Sequence, residues 1–142
     1  MKSIKEMLLD DSPKAAKKLE KLLAKDTESA SYLDAVKAEA GGSGAVEFPK
    51  LRMLVTDSFV CYLGLGIGGG LMIVPISSIR NLYRTNIIRY EYDYAYFTLA
   101  VETESGIKYL MRYPRNGKAM DIFNDLIAAV KERMAVNGGT EA

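Results

Sequence analysis

From Ser58 to Ile79 the chain carries no charged residue, and this stretch constrains the fold more than any other. It is long enough to cross a bilayer as a helix, and Gly64/Gly68 and Gly66/Gly70 even have the GxxxG spacing of packed membrane helices. Against a helix stand Gly68, Gly69 and Gly70 in succession, followed by Pro75. In a helix interior each glycine costs roughly 1 kcal/mol and the proline about 3 kcal/mol. Phe59–Leu63 and Leu71–Val74 have the length and composition of strands. The run therefore predicts a β-hairpin around a glycine loop.

The surrounding punctuation agrees with β-structure. Lys50–Thr56 is expected as a strand ending in the turn Thr56-Asp57-Ser58, giving a three-strand meander with the hairpin. Ile76–Ile79 is a short corner, and Asn81–Tyr90 predicts one longer strand. Tyr96–Glu102 alternates with Phe97, Leu99 and Val101 inward; Glu104-Ser105-Gly106 turns, and Ile107–Tyr113 returns. Links this short make the pairing antiparallel.

After Pro114, Asn116 is a plausible N-cap for a last helix. Met120, Phe123, Leu126, Ile127, Val130 and Met134 recur at three- and four-residue spacing, opposite Asp121, Asn124, Asp125, Lys131 and Glu132. Asn137-Gly138-Gly139 stops it, leaving residues 137–142 as a frayed tail. At the other end, Ser3-Ile4-Lys5-Glu6 has capping-box spacing, and Ser12 before Pro13 is a second N-cap. Helices are expected near 4–10 and 13–25, the second with Leu19, Leu22 and Leu23 on one face and lysines elsewhere. That face docks on its own domain or a second copy, or else anchors the chain to a membrane; it has no aromatic residue. Residues 28–40 fit either a helix or a first strand, and Gly41–Gly44 is a flexible break.

The fold class expected is α+β, mostly β: an antiparallel sheet of about six or seven strands capped by the C-terminal amphipathic helix, with an N-terminal helical extension over residues 1–30 and the β domain over residues 31–136.

Composition bounds the chemistry. The chain has no histidine and one cysteine, Cys61, which excludes Ser-His and Cys-His nucleophile pairs and imidazole zinc sites. No enzyme activity and no cofactor or metal are expected. Nineteen basic residues against eighteen acidic ones give a net charge of +1, so no overall field draws the chain to nucleic acid. A lone cysteine and a start without a signal-peptide apolar region point to the cytoplasm.

Three features are candidates for contact. Gly64–Gly69 matches GxGxxG literally, but a strand follows where the dinucleotide motif needs a helix. It reads as a hairpin tip bearing Leu65 and Ile67, which could touch a partner. Tyr90, Tyr92, Tyr94 and Tyr96 would share one face of an unbroken strand, as an aromatic recognition patch or as edge cover; the flanking strands require a turn near Glu91–Tyr94. Lys108 and Arg112 have the same parity on one strand, near Arg115, and with Lys50 and Arg52 they are candidates for an anion or lipid headgroup.

Leu51 to Leu63 followed by Ile73 to Ile79 is similar to the succession of apolar strand, Thr-Asp turn, aromatic strand, loop and Pro-x-Ser-x-Ile corner in the pleckstrin-homology-like superfamily, including its GRAM-type and bacterial members. The resemblance covers residues 32–134. It implies a strongly bent sheet or partly open barrel with the last helix plugging the open end. Family members that bind phosphoinositides place a Lys-x-Arg type cluster in the first strand pair; Lys50-Leu51-Arg52 has those residue types, with no further basic residue close behind. Other members bind proteins. The function expected is therefore a non-catalytic module for protein contact or self-association, with anionic lipid headgroups as the alternative ligand.

Overall fold

The computed structural model describes residues 3–64, 69–88, 91–92, 96–114 and 117–136. The chain divides into two compact units that meet in sequence between Pro75 and Ile76.

The first unit sets four helices on a four-stranded sheet. Helices α1 (Ile4–Leu9), α2 (Pro13–Leu23), α3 (Thr27–Ala30) and α4 (Leu33–Ala40) precede strands β1 (Val46–Phe48), β2 (Met53–Val55), β3 (Phe59–Leu63) and β4 (Leu71–Pro75). The strands form an antiparallel meander in chain order. The first two helices start where the local chemistry directs. The Ser3 hydroxyl accepts from the Glu6 N–H while the Glu6 carboxylate accepts from the Ser3 N–H, and the Ser12 hydroxyl accepts from the Ala15 N–H ahead of Pro13.

Residues 28–40, which fitted helix or strand equally, are mostly helical. Ile4, Met7, Leu8, Leu19, Leu23, Val36 and Ala40 from the helices pack with Leu54, Phe59, Cys61, Leu63, Leu71 and Ile73 from the sheet. The leucine face of α2 is thus spent on the core of its own unit. That answers whether it docks within the chain, and it removes the inserted membrane anchor.

The expected strand over Lys50–Thr56 is shorter. Pro49–Leu51 forms a 3-10 turn, because proline's fixed φ suits a first helical position. Arg52 then takes a left-handed conformation with φ 57°. The pair reverses the chain tightly enough that Phe48 pairs with Met53.

β4 closes one side of the sheet, and its edge is covered. The buried Ser29 hydroxyl of α3 accepts from the Ile73 N–H at 2.8 Å and lies 3.3 Å from the Ile73 carbonyl and 2.9 Å from the Asp26 carboxylate. Farther along the same edge Gly70 is needed for a close approach, since a Cβ there would stand 2.6 Å from the Leu22 carbonyl oxygen.

The second unit begins with a 3-10 turn, Ile76–Ser78, and continues through β5 (Asn81–Thr85), β6 (Ile87–Ile88), β7 (Glu91–Tyr92), β8 (Tyr96–Thr103), β9 (Gly106–Pro114) and α5 (Gly117–Val136). Its main sheet is antiparallel in the order β5-β8-β9, and β6 pairs with β7 alone. The single strand expected over Asn81–Tyr90 breaks at Asn86, where the Thr85 hydroxyl accepts from the Ile87 N–H at 3.0 Å. Ile87 pairs with Tyr92 and Ile88 with Glu91. Glu91 and Tyr92 are therefore strand residues, not part of the turn expected over 91–94.

Phe123, Leu126 and Val130 of α5 are fully buried, as their spacing predicts. The Phe97 and Phe123 rings meet edge to face at 6.2 Å. Arg84 lies over the Phe97 ring at 4.7 Å and donates to Asn124 Oδ1 at 3.3 Å, which ties β5 to α5 by a cation–π contact and a hydrogen bond.

The architecture is α+β, with antiparallel sheets of four and three strands and a C-terminal helix. About 30% of the chain is strand, so the expectation of a mostly β chain is corrected: helix takes a comparable share once residues 28–40 join α5. Among the described residues the strands make separate sheets and no closed barrel. No described helix is long and apolar enough to cross a membrane.

Candidate functional site

The basic candidates fall into different environments. In the first unit Lys50 is exposed on the 3-10 turn. Arg52 is turned onto the sheet: its Nε donates to the Leu63 carbonyl at 3.0 Å, and its own carbonyl accepts from the Leu63 N–H at 3.0 Å. It lines a cleft of about 420 Å³ together with Ser3, Glu6, Glu47, Met53 and Leu63. Two carboxylates therefore share the cleft with one guanidinium, which is not the charge balance of an anion pocket. Tyr62, opposite Met53 in the sheet, has its phenol pushed up by burial, with Arg52 pulling the other way.

In the second unit the pairing register is irregular between two basic positions of the same parity. Lys108 lies opposite Val101, but position 112 lies opposite Thr98, because the register shifts between Thr98 and Leu99. Thr98 and Val101 are three residues apart on one strand and belong to opposite faces. The even spacing that parity assumes between positions 108 and 112 is thus interrupted in the backbone. The shift is held internally, where the buried Thr98 hydroxyl donates to the Leu110 carbonyl at 2.7 Å. Leu65, Ile67, Tyr90, Tyr94 and Arg115 lie outside the described residues, as do the side chains of Tyr92 and Arg112.

Two features were missed by sequence reasoning. The first is the edge position of β9, a strand the sequence does predict and which ends its sheet over nine residues. Ile107 and Tyr109 on one of its faces are 43% and 36% exposed. Their alternation with Lys108 is visible in the sequence, but an edge strand cannot be told from a central one without the pairing order.

The second is Glu39. Partial burial raises its pKa, yet hydrogen bonds from Thr56 and Ser58 outweigh that and hold the carboxyl below its ordinary value. Its Oε1 accepts from the Thr56 hydroxyl at 2.7 Å and the Ser58 N–H at 2.9 Å. The buried Cys61 thiol is pushed up to about 12 by burial and by the Glu39 charge, so it stays protonated and unreactive.

Of the acidic residues that could serve carboxylate chemistry, Asp57 and Glu104 are exposed, and Glu104 pairs with Arg80 at 2.5 Å. Among the described residues no group of three His, Cys, Asp or Glu side chains is placed to hold a metal ion. Compared with protein-family models, with curated proteins and with solved structures, the chain shows no match.

Proposed function

We propose that this chain is a cytoplasmic, non-catalytic binding module of the pleckstrin-homology-like kind, serving protein contact or self-association through β9, an edge strand of its sheet among the described residues. One contrast carries the reading. The β4 edge of the first sheet is closed by the Ser29 hydroxyl on the Ile73 backbone. Among the described residues β9 ends its sheet, with Ile107 and Tyr109 partly exposed on one face. An edge strand left long and partly apolar is a ready template for another strand.

Two antiparallel sheets of four and three strands followed by a helix support the likeness of fold; the partly open barrel belongs to the same proposal. The alternative reading, headgroup binding through Lys50 and Arg52, draws little from the geometry, because Glu6 and Glu47 line the same cleft as Arg52.

The test is sedimentation equilibrium across the micromolar range, on the parent chain and on Ile107→Glu and Tyr109→Glu. Concentration-dependent association in the parent, lost in both variants with unchanged melting, supports the reading. A parent that stays monomeric and takes no partner strand, or variants that associate as before, defeats it.

A further inference from the structure

Helix α2 carries two chemistries on separate faces. At 3.6 residues per turn, Lys14, Lys17, Lys18 and Lys21 fall within an arc of about 100°, and all four are exposed. Lys25, just past the C-cap Ala24, is exposed as well. Ala15, Leu19 and Leu23 are buried, so this helix cannot roll its apolar side outward without dismantling the core of its unit. Its only acid, Glu20, lies outside the lysine arc.

The elements packed on α2 do little to neutralise the arc. α1, α3 and β4 are its neighbours, and β4 has no charge. Glu6 is engaged in its capping box and Asp26 in capping α3. Asp10 accepts from the Ser12 N–H and lines a cleft with Lys14 and Lys18; Asp11 and Glu28 are exposed. Against a net charge of +1 for the chain, five lysines on one side mean that the remainder is net acidic, so the field is polarised.

We infer that this lysine face docks on an anionic bilayer surface, held by diffuse attraction to headgroup charge and without insertion. Juxtamembrane lysines near such a surface contribute additively and need no pocket. The face holds no arginine to fork onto phosphate and no aromatic ring to stack on bases, which nucleic-acid surfaces use. This inference does not depend on the β9 edge.

Co-sedimentation with vesicles of phosphatidylcholine alone, and of phosphatidylcholine with phosphatidylserine, tests it. Binding is expected only to the anionic vesicles and is expected to fall away as salt shortens the screening length. Lys14→Gln/Lys18→Gln/Lys21→Gln should lower the partition about a hundredfold, taking about fivefold per lysine. Lys50→Gln should change it little. Glu20→Lys should strengthen binding several-fold, a gain that misfolding cannot produce. No binding to anionic vesicles, undiminished binding by the triple variant, or tighter binding to a short DNA duplex than to the vesicles overturns the inference.

Discussion

Glu39 Oε1 accepts a hydrogen bond from the Thr56 hydroxyl at 2.7 Å, joining the end of α4 to the turn between β2 and β3. The same oxygen accepts from the Ser58 N–H, while Thr56 Oγ1 accepts from the Phe59 N–H at 3.1 Å. One carboxylate therefore organises a whole turn. Because its folded pKa is depressed, its contribution to stability is fully present above the ordinary carboxylate range and is lost as pH falls through the folded value. Urea midpoints measured at neutral pH and across the acid range should show an acid-side loss that is smaller in Glu39→Gln. Thr56→Val, which strips the Phe59 N–H of its acceptor, should cost about 1–3 kcal/mol at neutral pH. Equal acid profiles for the parent and Glu39→Gln would contradict the role given to the carboxylate.

Ser29→Ala leaves the buried Ile73 N–H without the acceptor that now meets it at 2.8 Å. A loss of about 1–3 kcal/mol is expected, together with concentration-dependent aggregation as the β4 edge opens. Ser31→Ala, at an exposed neighbouring serine, should fall within about 0.5 kcal/mol of the parent. Chemical denaturation and light scattering read the two effects separately.

Cys61 should be silent to alkylation in the native chain at mildly alkaline pH, since burial and the Glu39 charge keep it a thiol. It should label at the rate of a free thiol in denaturant. Mass spectrometry of pulse-labelled protein would show this, and rapid native labelling would mean that the first unit opens far more readily than its packing implies.

Phe123→Ala removes the fully buried ring of α5 that meets Phe97 edge to face. A cost of about 3–5 kcal/mol is expected from the cavity. Arg84→Gln, which loses the stacking over Phe97 but keeps a polar group near Asn124, should cost about 1 kcal/mol. Thermal melts of both variants decide the ranking, and a larger loss from Arg84→Gln would reverse the account of what holds α5.

The legible parts of this fold are those where one local rule acts alone. The three- and four-residue spacing of Phe123, Leu126 and Val130 predicts α5 because a helix face repeats at that period. Ser3 with Glu6 announces a helix start, and the glycines with Pro75 turn an uncharged run into two strands. The illegible parts depend on partners distant in sequence. Lys50 to Thr56 has the length and composition of a strand, and only the pairing of Phe48 with Met53 shows that Pro49–Leu51 must turn. Same parity at Lys108 and Arg112 takes no account of the backbone register shift that falls between the two positions. The charges of Lys50 and Arg52 were visible, but the carboxylates of Glu6 and Glu47 beside Arg52 come from elements that only folding assembles. Which strands are edges is likewise a property of the finished sheet.

The order of Ser29 and Ile73 along the chain has a bearing on synthesis. The hydroxyl that closes the β4 edge lies 44 residues ahead of the backbone it meets. At a ribosomal pace of about 5–20 residues per second, α3 has been made roughly 2–9 s before β4 follows. The stopper is waiting before there is an edge to stop, so a nascent chain need never present a finished first sheet with its flank open to a neighbouring polysome product.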